Sequence, residues 1–349
     1  MPYYTPLKNI ADTPTKERVV SKLLEIRKKI SEEIPVRTSK ETLLLATWNI
    51  REFGNNRSME SLYYMAEIVE AFDLIAIQEV LSDLKGLQSL VSLLGKNWEY
   101  IVTDATDGSA GGGERMAFLY DTNKVKFRNI AGEIVLPPNM DLEGDLQFAR
   151  TPFVVAFQAG WFKFSLCTVH IFYGEDSPTS AGMKRRVDEI DAVAKWFQKK
   201  AKNENASYIL LGDFNIIDPT HITMRALEKN QFFIPEQLKT KPTDLGRTKH
   251  YDQIAFKIKE DEDMLIFDRK NGNAGAFAFQ EVVYRDDEMA VYRDKFEEKN
   301  TKGKTEEAIN RYYLSKWRTF QMSDHIPLWV ELRIDFSNEY LDKIKENQP

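Results

Sequence analysis

The sequence predicts an α/β protein built on mixed, mostly antiparallel sheets. Three observations lead there. Strand-like apolar runs alternate with stretches of helical periodicity along most of the chain. No glycine-rich nucleotide fingerprint follows the first strand, so the usual sign of a parallel dinucleotide-binding sheet is missing. Finally, residues suited to chemistry close some strands and open others. Such residues share one edge when strands run in opposite directions, whereas a purely parallel sheet would scatter them over two.

The elements follow in chain order. Residues 14–34, PTKERVVSKLLEIRKKISEEI, place Val19, Leu23, Ile26 and Ile30 at helical spacing, and Pro35 ends the run. This is an amphipathic helix packed on the domain, with a partner-binding arm as the alternative. Strands are expected at TLLLATWNI, DLIAIQEV, MAFLYD, FVVAFQ, FKFSLCTVHI, YILLGDFNI, YDQIAFKI and IPLWVEL. Between them, SMESLYYMAEIVEAF has a helical stripe of Leu62, Met65, Ile68, Val69 and Phe72. AGMKRRVDEIDAVAKWFQKKAK has another, of Val187, Ile190, Val193, Ala194 and Phe197. Gly and Pro gather in the loops DGSAGGGER and VLPPNMDLEGD. The charged segment 286–319 reads as an exposed excursion, helical in parts. The expected division is an N-terminal helical extension (1–40), one main domain (41–336) and a C-terminal tail (337–349).

Composition narrows the function. With 42% hydrophobic and 29% charged residues, 349 residues suffice for one large core or two small ones. A net charge of −6 creates no global basic field, so any nucleic-acid surface must be a local patch. The single cysteine, Cys167, rules out an intramolecular disulfide and a cysteine metal site, and reads as a small buried hydrophobe. The N-terminus has no basic start followed by an apolar stretch, and no run reaches transmembrane length. The expectation is therefore a cytoplasmic protein with no membrane contact.

The polar strand ends carry the functional signal. Asn49 closes LLLATWN, Glu79 closes LIAIQE, His170 closes FSLCTVH, and Asp213 and Asn215 close ILLGDFN. Glu114 and Arg115 precede MAFLY, Asp252 opens YDQIAF, and Asp324 and His325 precede IPLWVEL. Taken singly, each has a plain reading as a turn residue, a solvated carboxylate or a structural histidine. Their joint occurrence, each on its own apolar strand, points to a shared rim. Oxygen donors with two histidines and no thiols suit Mg2+, Ca2+ or Mn2+ rather than structural zinc. HExxH and Gly-x-Ser-x-Gly are both absent, which removes the signatures of a zinc protease and a serine hydrolase. A hard metal with two histidines fits phosphoryl chemistry.

TWNI, IQEV, ERMAFLY, VH, GDFN, YDQIAF and SDHIPL occur in the order and approximate spacing of the endonuclease/exonuclease/phosphatase superfamily. Over residues 42–335 the chain resembles its deoxyribonuclease I-like branch. GDFN and SDH together are specific for the superfamily, and FARTPFVVAF and FAFQEVVY resemble that branch. The abasic-site branch usually has a tyrosine where His170 stands. Inositol-phosphatase and sphingomyelinase relatives keep the histidine, but the inositol-phosphatase signature is not seen near Asp252.

The resemblance implies a four-layer α/β/β/α sandwich of two mixed, mostly antiparallel sheets, and the following roles. Glu79 binds the principal metal (Mg2+, or Mn2+, with Ca2+ as a further choice), with Asn49 beside it. His325 is the general base, oriented by Asp252, and His170 is the general acid, oriented by Glu114. Asp213 and Asn215 hold phosphate, water or a second metal, joined by Asp324. Arg150 and Arg115 steady the phosphate. Gly212 is expected to let the backbone approach it closely.

The chain departs from deoxyribonuclease I in lacking its disulfide cysteines, its groove-packing tyrosine (GSAGGG stands there) and the minor-groove arginine after the metal-binding glutamate. The implied partner is DNA, gripped mainly through backbone phosphates. Lys184, Arg185 and Arg186 form a basic cluster that either helps in this or is a solvated helix start. Metal-dependent cleavage of DNA with little sequence preference is the leading expectation. The competing readings are a phosphatase or phosphodiesterase of a small molecule or lipid head group, and a non-catalytic binding protein on the same fold.

Overall fold

In a computed structural model of the protein, residues 2–106, 112–137, 142, 147–259, 266–268 and 272–346 are described. Most of the glycine-rich stretch before Glu114 and most of 138–146 lie outside them. Eleven strands among the described residues form two sheets. The first contains β1 (Thr42–Phe53), β2 (Leu74–Leu81), β3 (Trp98–Val102), β4 (Glu114–Asp121), β10 (Ala274–Ala276) and β11 (Leu328–Arg333), in the order β10-β11-β1-β2-β4-β3. The second contains β5 (Val125–Glu133), β6 (Phe153–Ala159), β7 (Phe162–His170), β8 (Ser207–Asp213) and β9 (Asp252–Lys257), in chain order. Each sheet has one parallel pair, β1 with β2 and β7 with β8, and all other pairings are antiparallel.

That arrangement answers the strand-end pattern. The C-terminal ends of a parallel pair lie together, beside the beginning of any antiparallel neighbour. The ends of β1 and β2 therefore lie with the starts of β4 and β11, and the ends of β7 and β8 with the start of β9.

Alternation along β1 shows how the sheets are clad. Leu43 and Leu45 join the core between the sheets, whereas Leu44, Ala46 and Trp48 pack into a second core beneath helices. Helices α1 (Thr13–Glu33), α2 (Met59–Val69) and α3 (Lys85–Leu94) cover the first sheet. Helices α4 (Ala181–Glu204) and α5 (Ile222–Glu228) cover the second. Asp12 caps α1, whose Val19, Leu23 and Ile26 are buried, as the periodicity predicts. Arg18 and Arg27 of α1 pair with Glu60 and Glu67 of α2, so the N-terminal helix belongs to the outer layer.

The segment 286–319 departs from the exposed excursion expected. Its charges lie largely outside, but Tyr292, Ile309, Tyr313 and Trp317 are buried against the helices, and the Tyr292 hydroxyl donates to Glu60 Oε1 at 3.1 Å. Short helices concentrate these aromatics on one side, a stripe hidden by the surrounding charge. Among the described residues, no helix is long and apolar enough to cross a membrane.

Gly212 has a packing role that the sequence did not reveal. It pairs with Val169 across β7 and β8 at φ +128°, and a Cβ there would stand 2.2 Å from the Val169 carbonyl oxygen. Glycine is needed for strand-to-strand packing, since the space its side chain would fill is occupied by backbone. Gly212→Ala is expected to cost roughly 2–4 kcal/mol, read from urea unfolding midpoints. An unchanged midpoint would refute the packing argument.

Candidate active site

The site grows from the first parallel pair. Glu79 stands where β2 slips register against both neighbours, β1 and β4, and its φ is +59°. A bulge at this point lifts the residue out of the ladder and re-aims its side chain. Its carboxylate is held by Asn49 Nδ2 on Oε1 at 3.0 Å and by the Glu52 backbone N–H on Oε2 at 2.9 Å. The same Asn49 Nδ2 reaches across to Asp213 Oδ2, also at 3.0 Å. One amide thus ties the two sheets together at the site.

Beneath it lies a buried bridge that the sequence reading missed. Gln78 Nε2 donates to Thr47 Oγ1 at 3.1 Å and to Thr168 Oγ1 at 2.8 Å. All three side chains belong to fully buried residues. Each lies one or two residues before a site residue: Asn49, Glu79 or His170.

From the second sheet come Asp213 and Asn215. Asp213 Oδ1 accepts the Asn215 N–H at 2.8 Å, a tight turn that holds Asn215 at φ +52°. Asn215 Nδ2 donates to the Ile171 carbonyl at 2.8 Å. Two histidines then converge. His325 Nδ1 is 2.8 Å from Asp252 Oδ2, and His170 Nδ1 is 3.1 Å from Glu114 Oε2. Their Nε2 atoms face the same Asp213 oxygen, at 3.9 Å from His325 and 3.6 Å from His170. The His325 backbone is fixed by Trp48 Nε1 on its carbonyl at 2.9 Å and by Ser323 Oγ on its N–H at 3.1 Å. Trp48 and Ser323 sit inside TWNI and SDHIPL, but no role could be assigned to them before the strands were paired.

Electrostatics follow from this packing. Burial raises the Glu114 carboxyl, but His170 and Arg150 outweigh it and bring it down to about 2. Asp213 is also buried, yet the charges of His325 and His170 hold it below the usual carboxylate range. Burial opposes the His325 imidazolium, while Asp252 and Asp213 together raise it well above an ordinary imidazole.

The arginines are distributed unequally. Arg150 Nε donates to Glu114 Oε2 at 2.6 Å and lines the cleft, so it steadies the carboxylate behind His170. Arg115 is not brought into the group. It donates to the Thr103 carbonyl at 2.7 Å and pairs with Asp104 at 3.3 Å. Asp324 reaches the rim but is paired with Arg51 at 3.2 Å. Of the basic cluster, Arg186 is fully buried and Arg185 pairs with Glu189, so these two do not form a solvated basic face.

The residues enclose a cleft of about 330 Å3, lined by Glu79, Arg150, His170, Asp213, Asn215, His325 and Asp324, with Tyr173 and Tyr251 as an added wall. The donor set fits a hard divalent cation. Because Asn49 Nδ2 is committed to two carboxylates, its Oδ1 is left buried with no hydrogen-bond partner, beside Glu79. Asp213, Asp252 and His325 also bring ligand atoms within 4.8 Å of one another, although Asp252 and His325 already engage each other.

The model of the endonuclease/exonuclease/phosphatase family matches residues 46–256, more than half of the chain. The protein belongs to that family. No curated protein matches the sequence at a significant level. Solved structures show the same fold. A mannosyl-6-phosphatase of Bacteroides thetaiotaomicron is 17% identical, with a TM-score of 0.53 over 83% of this chain and 99% of that one. The catalytic domain of human nocturnin is 15% identical, with a TM-score of 0.51 over 83% and 94%. TDP2 from C. elegans is 14% identical, with a TM-score of 0.51 over 84% and 75%. As a member of this family the chain is a hydrolase of phosphoester bonds.

Asp252→Asn removes the largest charge that raises His325 and leaves Asp213 to act against burial. The imidazole is then expected to titrate below its wild-type value, as read from its ring resonances by NMR. No downward movement would show that Asp252 is not its counter-ion. Gln78→Leu strands two buried hydroxyls, with an expected loss of about 1–3 kcal/mol and lowered turnover in the folded protein. Unchanged stability and turnover would show that the bridge does not position the site.

Proposed function

We propose that the chain is a divalent-metal-dependent endonuclease that hydrolyses DNA phosphodiester bonds with little sequence preference. The observation that carries the reading is the pair of carboxylate-backed histidines whose Nε2 atoms face one another across Asp213. Hydrolysis needs a proton removed from water and a proton given to the leaving oxygen, and two imidazoles lining one cleft supply both. His170 is the general acid, positioned by Glu114, which Arg150 holds in place. His325 is the general base, positioned by Asp252. A base must be neutral before it accepts a proton, yet the Asp252 and Asp213 carboxylates favour the charged imidazole. Glu79 and Asn49 would hold a hard cation such as Mg2+ (or Mn2+), which when bound would offset the charge of the phosphate and of the carboxylates around His325. Asp213 and Asn215 orient water or phosphate.

A second reading, a phosphatase of a small molecule, has its own support. Arg150, which lines the cleft, is paired with Glu114, and Arg51 is paired with Asp324 at the rim. This leaves less positive charge for a long polyanion than for one phosphate group, and one similar structure is that of a mannosyl-6-phosphatase.

Supercoiled plasmid separates the two. With Mg2+ or Mn2+, wild type is expected to nick it, chelator to abolish nicking, and His170→Ala to lower the rate about 10²–10⁴-fold. Intact plasmid alongside hydrolysis of a phosphorylated small molecule would refute the endonuclease. In the same assay, Glu79→Gln should raise the metal concentration needed for half activity. His325→Ala should cut turnover while metal still binds, as followed by calorimetric titration. Wild-type metal affinity in Glu79→Gln would remove Glu79 from the ligand set.

A further inference from the structure

Of the large apolar side chains exposed among the described residues, Tyr173 alone lines the catalytic cleft, at 44% exposure. Its position is built. Arg186, fully buried, donates from Nε to the Tyr173 carbonyl at 2.7 Å and from Nη1 to the Asn215 carbonyl at 3.1 Å. The same guanidinium lies 4.6 Å from the centre of the Tyr173 ring. One buried cation thus clamps the loop carrying Tyr173 to the residue proposed to hold the phosphate, and supports the ring itself. Tyr251 completes the wall. Its ring meets Tyr173 edge to face, with centroids 6.3 Å apart at 82°, and lies 5.4 Å from the His325 imidazole at 32°.

A rigid, half-exposed aromatic ring beside a phosphate site is suited to one class of neighbour: a planar group attached to that phosphate through a short linker. In a polynucleotide that group is a nucleobase. A base inside a duplex is stacked on both faces and offers none to a side chain, whereas an unpaired base does. The groove-reading side chains of a duplex-binding enzyme are also missing from the sequence: Gly112 and Gly113 stand in the loop before Glu114, and no arginine follows Glu79 in VLSDLKGL. We infer that Tyr173, backed by Tyr251 and braced by Arg186, is a stacking platform for an unpaired nucleobase next to the scissile phosphate, so that single-stranded or frayed DNA is the preferred substrate. This inference rests on the nuclease reading above and narrows it.

Three oligonucleotides of equal length test it under the metal conditions of the plasmid assay: a single strand, its duplex, and a strand built wholly of abasic residues, with the same backbone and no bases. The wild-type protein is expected to cleave the single strand with kcat/KM about ten-fold above both others. Tyr173→Ala should erase the preference over the abasic strand, mainly through KM, and Tyr173→Phe, which keeps the ring, should retain it. If wild type cleaves the abasic strand or the duplex as well as the single strand, or if Tyr173→Ala keeps the preference, the platform is refuted while the phosphodiesterase stands. If none of the three is cleaved but a phosphorylated small molecule is, both the platform and the nuclease reading fall.

Discussion

The hydrogen bond from Gln78 to Thr168 is the interaction on which the site depends. The candidate catalytic set is divided between two sheets that share no backbone ladder, so nothing in either sheet alone fixes the distance from Glu79 to His170. Apolar packing between sheets is tolerant of small slides, because it is non-directional and depends on the area kept from water. A buried amide held by hydroxyls on both sides is not tolerant, since a slide would leave polar atoms unpaired. Gln78 reaches Thr47 in its own sheet and Thr168 in the other, directly below Asn49, Glu79 and His170. Asn49 repeats the device one layer higher by bridging Glu79 and Asp213.

Above this lock, carboxylates accumulate at a density that the histidines, with Arg150 and Asn49, offset. Glu114, Asp213 and Asp252 are each partly or wholly buried, and each lies against an imidazole. Burial alone would favour their neutral forms. Attraction outweighs burial at Glu114 and Asp213, which lie low, and at His325, which lies high, whereas burial and the neighbouring Asp213 push the Asp252 carboxyl up. The consequence is a set of charges that depend on one another: removing one partner leaves another buried and unpaired, which destabilises more than the intact pair stabilises. The orphaned Asn49 oxygen fits the same pattern. It is a buried acceptor beside a carboxylate, an arrangement that a hard cation would complete.

The fold and most of this rim were legible because the signal was local. Each rim residue sits at the end of its own apolar strand, and the strand period and strand boundary can be read from short windows. What could not be read were choices decided by distant partners. Arg115 is adjacent to Glu114 but turns to Thr103 and Asp104, across the β3–β4 hairpin. Arg186 lies in a run of three basic residues that resembles a solvated helix start, yet its partners are Tyr173 and Asn215. Gly212 shows the limit most clearly. Its need for an unoccupied side-chain position is visible in the sequence, but the strand that fills the space, through Val169, is set only by pairing. The segment 286–319 is a related case, in which dense charge conceals an aromatic stripe.

Arg186 also links specificity to chemistry. Its guanidinium holds the carbonyls of Tyr173 and Asn215 at once, so the wall of the cleft and the residue proposed to grip the phosphate cannot shift independently. Asn215 is already committed by the Asp213 turn and by Ile171, and takes a left-handed φ that asparagine tolerates better than most residues. The Arg186 contact that holds the Asn215 carbonyl thus also places Tyr173. A substrate group resting on the tyrosine ring would be positioned against a phosphate site that is already rigid. Its binding would then cost little in ordering the protein, and more would remain for aligning the phosphorus between the two histidines.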